Sequence, residues 1–463
     1  MAQTSDPDGQ GIEVYTENPF YWQLNGTPTL LLGASSNDNL FQSPQVVEEI
    51  NLLHSIGGNY LRCTMSSRDE GDVWPYKKNE DGQYDLQQSN PQYWERFDNF
   101  LSLTASKDIV VQVELWATYD FYKDYWDANP YNPKNNVNYN ADSSKLPEAH
   151  QYNGWEKVNP FFHSVPVLEN NRLLLDMQKK FVDKIFEISF PYQHVLYSID
   201  NETNAPPEWG RYWAKYLKDK AENKGKNLFV TEMWDNWDPT GGKVPGIRKI
   251  QTLDDHPHLY RSTALNTINH PELYNFIDIS NNNGQIDQVH YETGLWVRNH
   301  VAEQNMIRPI NNVKIYGGPR DQDWCRDNIE GKERFWRNIF AGHAAVRFHR
   351  PPTGIGINQE AQNQIKSAKM IEKKVDFFTL VPATNLIANR EDNEAYCLSN
   401  PKNEYVLYFP TQGEIILNAS QGKYKKQILH LEKATWGSSK SVELPGSITT
   451  DTDKPCVVLL IKK

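Results

Sequence analysis

Three glutamate residues follow short apolar runs, at points where buried strands are expected to end. Glu114 follows IVVQV, Glu202 follows HVLYSIDN and Glu232 follows LFVT. Carboxyl groups that crowd one another in a concave site raise one another's pKa, and general acid catalysis near neutral pH requires a raised pKa. These glutamates are therefore the predicted catalytic residues, and Glu202 is the predicted acid.

Polar and aromatic residues follow the same strand candidates and the remaining ones. The chain has 14 tryptophans, whose flat side chains are suited to stacking on the apolar faces of sugar rings. Paired carboxylates beside aromatic rings are typical of glycosidic bond cleavage, in which one carboxyl group protonates the leaving oxygen. A carboxylate at a strand end also commonly caps a helix or pairs with arginine, and for Asp38 and Asp235 this alternative stays open. The predicted substrate-binding residues are Asn201, Asp38, Arg68, Trp116, Trp234, Asp235, Asn282, Lys314, Tyr316, Arg347 and His349.

Residues 27–350 alternate between short β-rich runs and longer stretches with apolar residues at helical spacing. Such alternation predicts βα units and a parallel sheet. Eight strand candidates favour an α/β fold, the (β/α)8 TIM barrel, in which functional residues lie at the carboxyl ends of the strands. A doubly wound open sheet is the alternative, but no glycine-rich phosphate loop supports it. The strand candidates are Thr29–Gly33, Asn59–Thr64, Ile109–Leu115, His194–Ile199, Leu228–Thr231, Phe276–Ser280, Asn312–Tyr316 and Ala344–Phe348.

Three domains are expected along the chain. Residues 1–26 are predicted to form a hairpin that closes the barrel, residues 27–380 the barrel itself, and residues 381–463 a small antiparallel β-sandwich. The sandwich is inferred from the runs EAYCLS, EYVLYFP, EIILN, KKQILHLE and CVVLLIKK, which turn residues separate. We expect it to pack against the barrel helices and assign it no binding role.

A long stretch from Asp120 to Glu169 is rich in asparagine, tyrosine and proline. It is predicted to be an extended loop after the third strand, and loops of that length are usually functional or disordered. Its aromatic residues Trp126, Tyr131, Tyr139 and Trp155 favour a loop that covers the substrate.

The net charge of −11 argues against a nucleic acid partner and against an anionic membrane surface. No stretch is apolar and long enough to span a membrane. The only predicted partner is the carbohydrate that the carboxylates and aromatic residues indicate. The four cysteines have no metal-binding spacing, and neither a metal nor a cofactor is predicted. A disulfide between Cys397 and Cys456 is conceivable because both fall in the C-terminal domain.

The chain resembles clan-A glycoside hydrolases, which carry an Asn-Glu pair at the end of the fourth strand, where Asn201-Glu202 stands. It is also similar, over most of its length, to Bacteroidetes-type proteins with an apiosidase-like barrel and a β-sandwich labelled as collagen-binding, although nothing in residues 385–463 argues for collagen binding. The resemblance implies an exported degrader of plant- or algal-type polysaccharides, with Glu202 as the acid/base. The stretches that carry it are ASSNDNLFQ, MSSRDEGDVWP, NPKNNVNY, IDNET, VTEMWDNWD, VKIYGG and VRFHRPP.

Strand seven departs from the clan pattern. Clan-A retaining enzymes carry a nucleophilic glutamate there, whereas this chain offers Lys314. A lysine cannot replace a carboxylate nucleophile in that mechanism. The second carboxylate is then Glu232 or Glu114, or an aspartate of the following loop, Asp321 or Asp323, or else the protein binds glycans without cleaving them.

Lys314 has two interpretations. It either neutralises the crowded carboxylates or contacts an anionic sugar, such as a uronic acid or a sulfated residue. In the second case a basic floor would extend through Arg68, Arg347, His349 and Arg350.

The leading prediction is a glycosidase acting on a polysaccharide or oligosaccharide, and a glycan-binding protein on a degenerate barrel is the alternative. A lyase that uses Lys314, Tyr316 and His349 is the third interpretation.

Overall fold

The computed structural model describes residues 11–149, 158–235, 238–240, 244, 263–319 and 325–463. Eight parallel strands, each followed by at least one helix, form the larger part of the molecule. Their apolar residues are buried on both faces, as expected for strands with the core on one side and helices on the other. These strands are β1 (Leu31–Ala34), β2 (Tyr60–Thr64), β3 (Val110–Ala117), β4 (Val195–Asn201), β5 (Val230–Thr231), β6 (Ile277–Asp278), β7 (Ile310–Ile315) and β8 (Ala345–Phe348).

The strands pair in the order β5-β4-β3-β2-β1-β8-β7-β6 and form a nearly closed barrel. Between the two ends of this sheet, the backbone amide of Asn275 donates a hydrogen bond of 2.9 Å to the carbonyl of Val230. The predicted barrel is therefore confirmed, with strand ends displaced by a few residues from those that the apolar runs suggested.

The helices present apolar faces to the outside of the barrel. Asn90 and Asn171 cap the helices that precede β3 and β4 by accepting hydrogen bonds from first-turn backbone amides. Within the described residues, no helix combines the length and apolar composition that crossing a membrane requires. The helices are α1 (Val46–Ser55), α2 (Pro91–Ala105), α3 (Lys123–Ala128), α4 (Ala141–Ser144), α5 (Arg172–Ser189), α6 (Pro207–Glu222), α7 (Leu265–Ile268), α8 (Asp287–Glu303), α9 (Asn328–Phe340) and α10 (Gln359–Glu372).

Three short antiparallel strands, Ile12–Val14, Trp22–Leu24 and Thr27–Thr29, precede the barrel. Trp22 is fully buried, and its ring packs edge-on against Phe229 and Phe276 at centroid distances of 5.2 and 5.5 Å. These phenylalanines lie directly before β5 and β6. The N-terminal sheet is thus anchored at the amino ends of the strands, opposite to the end where the strand-terminal polar residues lie.

The long segment after β3 is more ordered than its composition suggested. It contains α3 and α4, and its backbone pairs with the end of a hairpin formed by Tyr76–Lys78 and Tyr84–Ser89. Trp126, Tyr131 and Tyr139 are buried within the molecule and do not cover a substrate site, because their rings complete the packing beneath the loop. Trp155 lies outside the described residues.

The C-terminal part is an antiparallel sheet of eight strands. One face, which includes Val406 and Tyr408, joins the barrel core, and the ring of Tyr408 stacks on Trp336 of α9 at 5.8 Å. The opposite face, which includes Leu407, packs into a separate apolar core. The strands are β9 (Val381–Pro382), β10 (Ile387–Ala388), β11 (Tyr396–Ser399), β12 (Glu404–Phe409), β13 (Glu414–His430), β14 (Thr435–Trp436), β15 (Lys440–Thr449) and β16 (Cys456–Lys462).

Three details of this sheet differ from the sequence expectation. The runs EIILN and KKQILHLE form one continuous strand, β13, with a register shift between Leu417 and Gly422. Strand β15 was not predicted, since its residues are mostly polar and exposed. Cys397 and Cys456 are free, buried thiols, so the conceivable disulfide does not form.

Trp22→Ala should lower the free energy of unfolding by about 3–5 kcal/mol, because the cavity left among buried aromatic rings cannot close. Urea unfolding followed by tryptophan fluorescence and circular dichroism would measure the loss. Val167→Ala is the control, since that side chain is 71% exposed. A loss below about 1 kcal/mol in Trp22→Ala would contradict this anchoring role.

Candidate active site

A cavity of about 520 Å³ opens at the carboxyl ends of the barrel strands. Every barrel strand ends in, or within four residues of, a residue that lines the cavity, and β2 also contributes Arg62 from within the strand. Ligand sites in TIM barrels lie at this end because the loops there are free to vary without disturbing the packed core. The lining residues are Asp38, Arg62, Arg68, Thr118, Tyr119, Tyr122, Lys123, Tyr125, Asn201, Glu202, Asn204, Asp235, Asn281, Asn283, Gly284, Lys314, Tyr316, His349, Arg350, Pro351, Pro352 and Thr353.

Glu202 lies directly after β4 with a backbone φ of +55°, a left-handed conformation that is uncommon outside glycine. Its Oε1 accepts a hydrogen bond from the Lys314 ammonium and another, of 2.8 Å, from the Tyr316 hydroxyl. Burial acts to raise the pKa of this carboxyl, but the Lys314 charge and these two hydrogen bonds hold the pKa below its usual value. Glu202 is therefore a carboxylate at neutral pH.

Asp235 lines the same cavity, four residues after β5. Its carboxyl group accepts a hydrogen bond of 2.9 Å from the side chain of Asn204. Burial and the neighbouring negative charge of Glu202 raise the pKa of Asp235 to about 7. Glu202 and Asp235 thus share one cavity with opposite protonation preferences, a pattern that acid–base active sites commonly have.

Asp200 supports this arrangement from beneath the cavity. It is fully buried and accepts hydrogen bonds from the backbone and side chain of Thr118 at the start of the loop after β3. Burial raises the pKa of Asp200 to about 8, although these hydrogen bonds oppose the shift. The contact joins the end of β4 to a residue of the cavity wall.

Arg62 connects two carboxylates beside the cavity. Its Nη1 lies 2.6 Å from Asp38, and its Nε lies 2.7 Å from Glu114. The second oxygen of Glu114 accepts a hydrogen bond of 2.9 Å from Thr64, so both oxygens of this carboxylate are occupied by the protein. Asp38 also pairs with Arg350 at 3.2 Å. Burial opposes ionisation of Asp38, but the arginines around it hold its pKa well below the usual value.

The predicted grouping of three glutamates does not form. Glu232 is fully buried away from the cavity, where it accepts a hydrogen bond of 2.8 Å from Tyr274 and faces Gly210 of α6. Glu114 is held by Arg62 and does not line the cavity either. Glu232 faces a helix because alternate side chains of a strand face opposite sides. Glu114 lies on the barrel side, but its contacts with Arg62 and Thr64 keep it from the cavity.

The predicted sugar-stacking tryptophans also lie elsewhere. Trp116 is buried among Tyr131, Phe161 and Phe181, and the indole of Trp234 donates a hydrogen bond of 2.8 Å to Thr267. Neither ring lines the cavity, since both fill the space between the barrel and its helices.

Most of the other predicted binding residues do meet in the cavity, but two do not. Arg347 donates to the carbonyl of Val313 at 2.9 Å and to Ser35, beneath the cavity floor. Asn282 accepts from Asn312 at 2.9 Å and is fully buried, while its neighbours Asn281 and Asn283 line the cavity. The residues that line it as predicted are Asp38, Arg68, Asn201, Asp235, Lys314, Tyr316 and His349. Asp321 and Asp323 lie outside the described residues.

The sequence reasoning missed one wall of the cavity. Tyr119, Tyr122, Lys123 and Tyr125 follow β3 and line the cavity. The run TYDFYKDY, which directly follows the end of β3, could have indicated these residues. The substrate-covering loop was predicted from aromatic residues further along the segment instead. Arg62 was missed because it lies within a strand and not at its end.

Three carboxylates on α8 and α9 could approach a cation. Oxygens of Asp287, Glu330 and Glu333 lie within 4.8 Å of one another. The Arg337 guanidinium already pairs with Glu330 and lies 3.2 Å from Glu333 and 3.7 Å from Asp287. The arginine thus supplies the positive charge that this group of carboxylates requires.

No family model matches the sequence, and no curated protein is similar to it. Solved structures do match. A glycoside hydrolase family 5 protein from Bacteroides vulgatus aligns over 98% of this chain and 94% of its own, with a TM-score of 0.65 and 13% identity. The chain has the fold of a glycoside hydrolase.

Two mannanases are more distant structural matches. An endo-1,4-beta-mannanase from Rhizomucor miehei aligns over 79% of this chain and 100% of its own, with a TM-score of 0.50 and 14% identity. An endo-beta-1,4-mannanase from Thermotoga petrophila aligns over 94% and 98%, with a TM-score of 0.50 and 10% identity. At such identities the likeness establishes the fold, and the residues of the cavity must carry any argument about activity.

Glu232→Gln should raise the stability of the folded protein at pH 8 and leave it unchanged at pH 4. Burial raises the pKa of Glu232 from 4.5 to about 8. Between these values the folded chain keeps a proton that the unfolded chain releases, so the wild type loses stability as the pH rises, and glutamine removes this loss. Thermal melting at both pH values would measure it, with exposed Glu187→Gln as the control. A lower melting temperature of Glu232→Gln at pH 8 would contradict the assignment.

Proposed function

We propose that the protein is a glycoside hydrolase whose reacting carboxyl groups are those of Glu202 and Asp235. The observation that carries this proposal is that both groups line one cavity at the carboxyl ends of the barrel strands with opposite pKa shifts. Hydrolysis of a glycosidic bond needs one protonated and one ionised carboxyl group beside the same bond. The shared fold with glycoside hydrolases is consistent with this chemistry.

The two carboxyl groups have different tasks in the proposed reaction. Asp235 donates its proton to the glycosidic oxygen as the bond from that oxygen to the anomeric carbon breaks. Glu202, kept ionised by Lys314, either attacks the anomeric carbon or takes a proton from the attacking water. The sequence assigned the acid role to Glu202, but its lowered pKa supports the role of base or nucleophile instead.

The substrate class follows from the walls of the cavity. Hydroxyl, amide and charged groups are interleaved with tyrosine rings, a combination suited to the polar edges and apolar faces of sugars. The proposed substrate is a polysaccharide, or an oligosaccharide derived from one, of plant or algal type. Export from the cell is part of this proposal, because long polysaccharides do not cross membranes.

Glycan binding without cleavage is the second candidate, and one observation favours it. Lys314 occupies the strand-seven position at which the resembled clan has its nucleophile, and it pairs with Glu202. If that pair persists with a sugar bound, the protein binds and does not cleave.

The lyase interpretation lacks support from the same cavity. A lyase requires a base to remove a proton from carbon. Burial raises the pKa of Tyr316 well above its usual value and lowers that of His349 well below, so the tyrosine stays protonated and the histidine is a weak base.

Glu202→Gln and Asp235→Asn should each lower kcat at least about 100-fold on a substrate that the wild type cleaves, because each removes an acid–base group. Release of reducing ends from a panel of mannans, xylans, pectins and algal polysaccharides would identify the substrate and give the rates. Glu232→Gln is the comparison variant and should keep wild-type turnover, since its side chain lies outside the cavity.

The outcomes separate the candidates. Wild-type turnover in Glu202→Gln with unchanged melting would refute its role. Saturable glycan binding by the wild type, without new reducing ends from any substrate of the panel, would favour the binding function. An unsaturated product that absorbs in the ultraviolet would favour the lyase.

Lys314→Met should shift the acidic limb of the pH profile of kcat/KM to higher pH. Without the ammonium group, burial raises the pKa of Glu202, so the carboxylate becomes protonated and inactive at a higher pH than in the wild type. Reducing-end assays from pH 3 to 9 would locate both limbs. Lys215→Met, which removes an exposed ion pair on α6, is the control, and an unshifted acidic limb in Lys314→Met would contradict the effect.

A further inference from the structure

The cations of the cavity are mostly neutralised by the protein itself. Lys314 pairs with Glu202, Arg350 lies 2.6 Å from Asp69, and Arg68 lies 3.0 Å from Asp120. Arg62 is held by Asp38 and Glu114 in the same way. The expected basic floor for an acidic glycan is therefore already satisfied by internal carboxylates, and these residues offer little net charge to a substrate.

Lys123 is different. Its side chain is exposed and lines the cavity. Within the described ranges, no carboxylate oxygen lies within 4.0 Å of its ammonium group, which lies 6.0 Å from the centroid of the Tyr119 ring. It thus brings a positive charge to the cavity wall without a compensating carboxylate.

The backbone of Lys123 is also unusual. Its φ of +50° is left-handed, a conformation that is unfavourable for residues other than glycine and that clusters at ligand sites. Lys145, in the same loop, has a φ of +62°, but it follows α4 as its C-cap and donates its backbone N–H to Ala141, where a left-handed residue is common. Lys123 begins α3, where helix termination does not demand this conformation.

Two exposed tyrosines lie in the same segment as this lysine. Tyr119 and Tyr125 are 36% and 38% exposed, and their ring centroids lie 5.0 Å apart. Both rings line the cavity. Exposed tyrosine faces beside an ammonium group can hold the apolar face of a sugar ring and a negative substituent of the same sugar.

We propose that Lys123, Tyr119 and Tyr125 form a subsite for a sugar that carries an anionic substituent, either a carboxylate or a sulfate ester. The inference rests on the proposed function in that it places a glycan in the cavity. It adds that the glycan is negatively charged and names the residues that bind the charged sugar. A single flexible ammonium group does not discriminate between the two anions by geometry, so the experiment must do so.

The test compares charged oligosaccharides with neutral counterparts of the same backbone. Glucuronoxylan and galacturonan oligosaccharides are used before and after reduction of their carboxyl groups, and carrageenan oligosaccharides before and after desulfation. Binding is measured by calorimetry in the Glu202→Gln background, and KM and kcat by reducing-end release in the otherwise unaltered protein.

Lys123→Gln should weaken binding of one charged series about tenfold and raise its KM by a similar factor, with kcat nearly unchanged, because one charge-assisted contact is lost. Binding of the matching neutral series should change less than about twofold. The series that responds identifies the anion. Added NaCl should weaken the charged binding of the parent protein and have little effect on that of Lys123→Gln.

Matched variants complete the experiment. Lys145→Gln removes a left-handed lysine of the same loop that lies outside the cavity, and it should bind both series as the parent does. Lys123→Arg should retain the preference for charge. Tyr119→Ala should weaken the charged and the neutral series alike, because stacking does not depend on the substituent.

Two results would overturn the subsite. One is equal affinity of the parent protein for the charged and neutral forms of every series, and the other is an equal effect of Lys123→Gln on both forms. Turnover of neutral glycans with either result would leave the hydrolase proposal intact. Charge-selective binding that depends on Lys123, without reducing ends from any substrate, would instead refute the hydrolase and keep the subsite.

Discussion

The ion pair between Lys314 and Glu202 joins the carboxyl ends of β7 and β4 across the mouth of the barrel. The lysine side chain is almost completely buried, so the attraction acts in a medium that screens charge weakly. It keeps Glu202 ionised, and the resulting negative charge helps to raise the pKa of Asp235. The protonation states of Glu202 and Asp235 both depend on this one contact.

Around that pair, the surroundings of each acidic residue decide its state. Arginines surround Asp38 and hold its pKa down. Asp200 receives only hydroxyl and backbone hydrogen bonds, and the charge of Arg211 offsets the burial of Glu232 only in part, so both have raised pKa values. All three are buried near the carboxyl ends of the barrel strands. Burial favours the protonated form of each of them, so the strength of the attraction to nearby cations decides the difference.

The sequence was informative where a local pattern has one structural solution. Eight apolar runs between amphipathic stretches predicted the eight barrel strands, because buried parallel strands need such runs. The pattern failed for β15, which is mostly exposed, and for the division of β13 into two strands. In both cases the pairing partner, and not the composition of the segment, makes the strand.

The sequence by itself determined the barrel, the end of it that carries the polar residues, and the place of Glu202 at the end of β4. Only the tertiary structure decided that Asp235 faces the cavity while Glu232, three residues earlier, faces a helix. It also decided that Lys123 stands at the cavity wall without a carboxylate partner among the described residues. The physical reason is that side-chain direction, burial and charge neutralisation depend on neighbours that are distant in the chain, whereas strand formation depends largely on residues nearby.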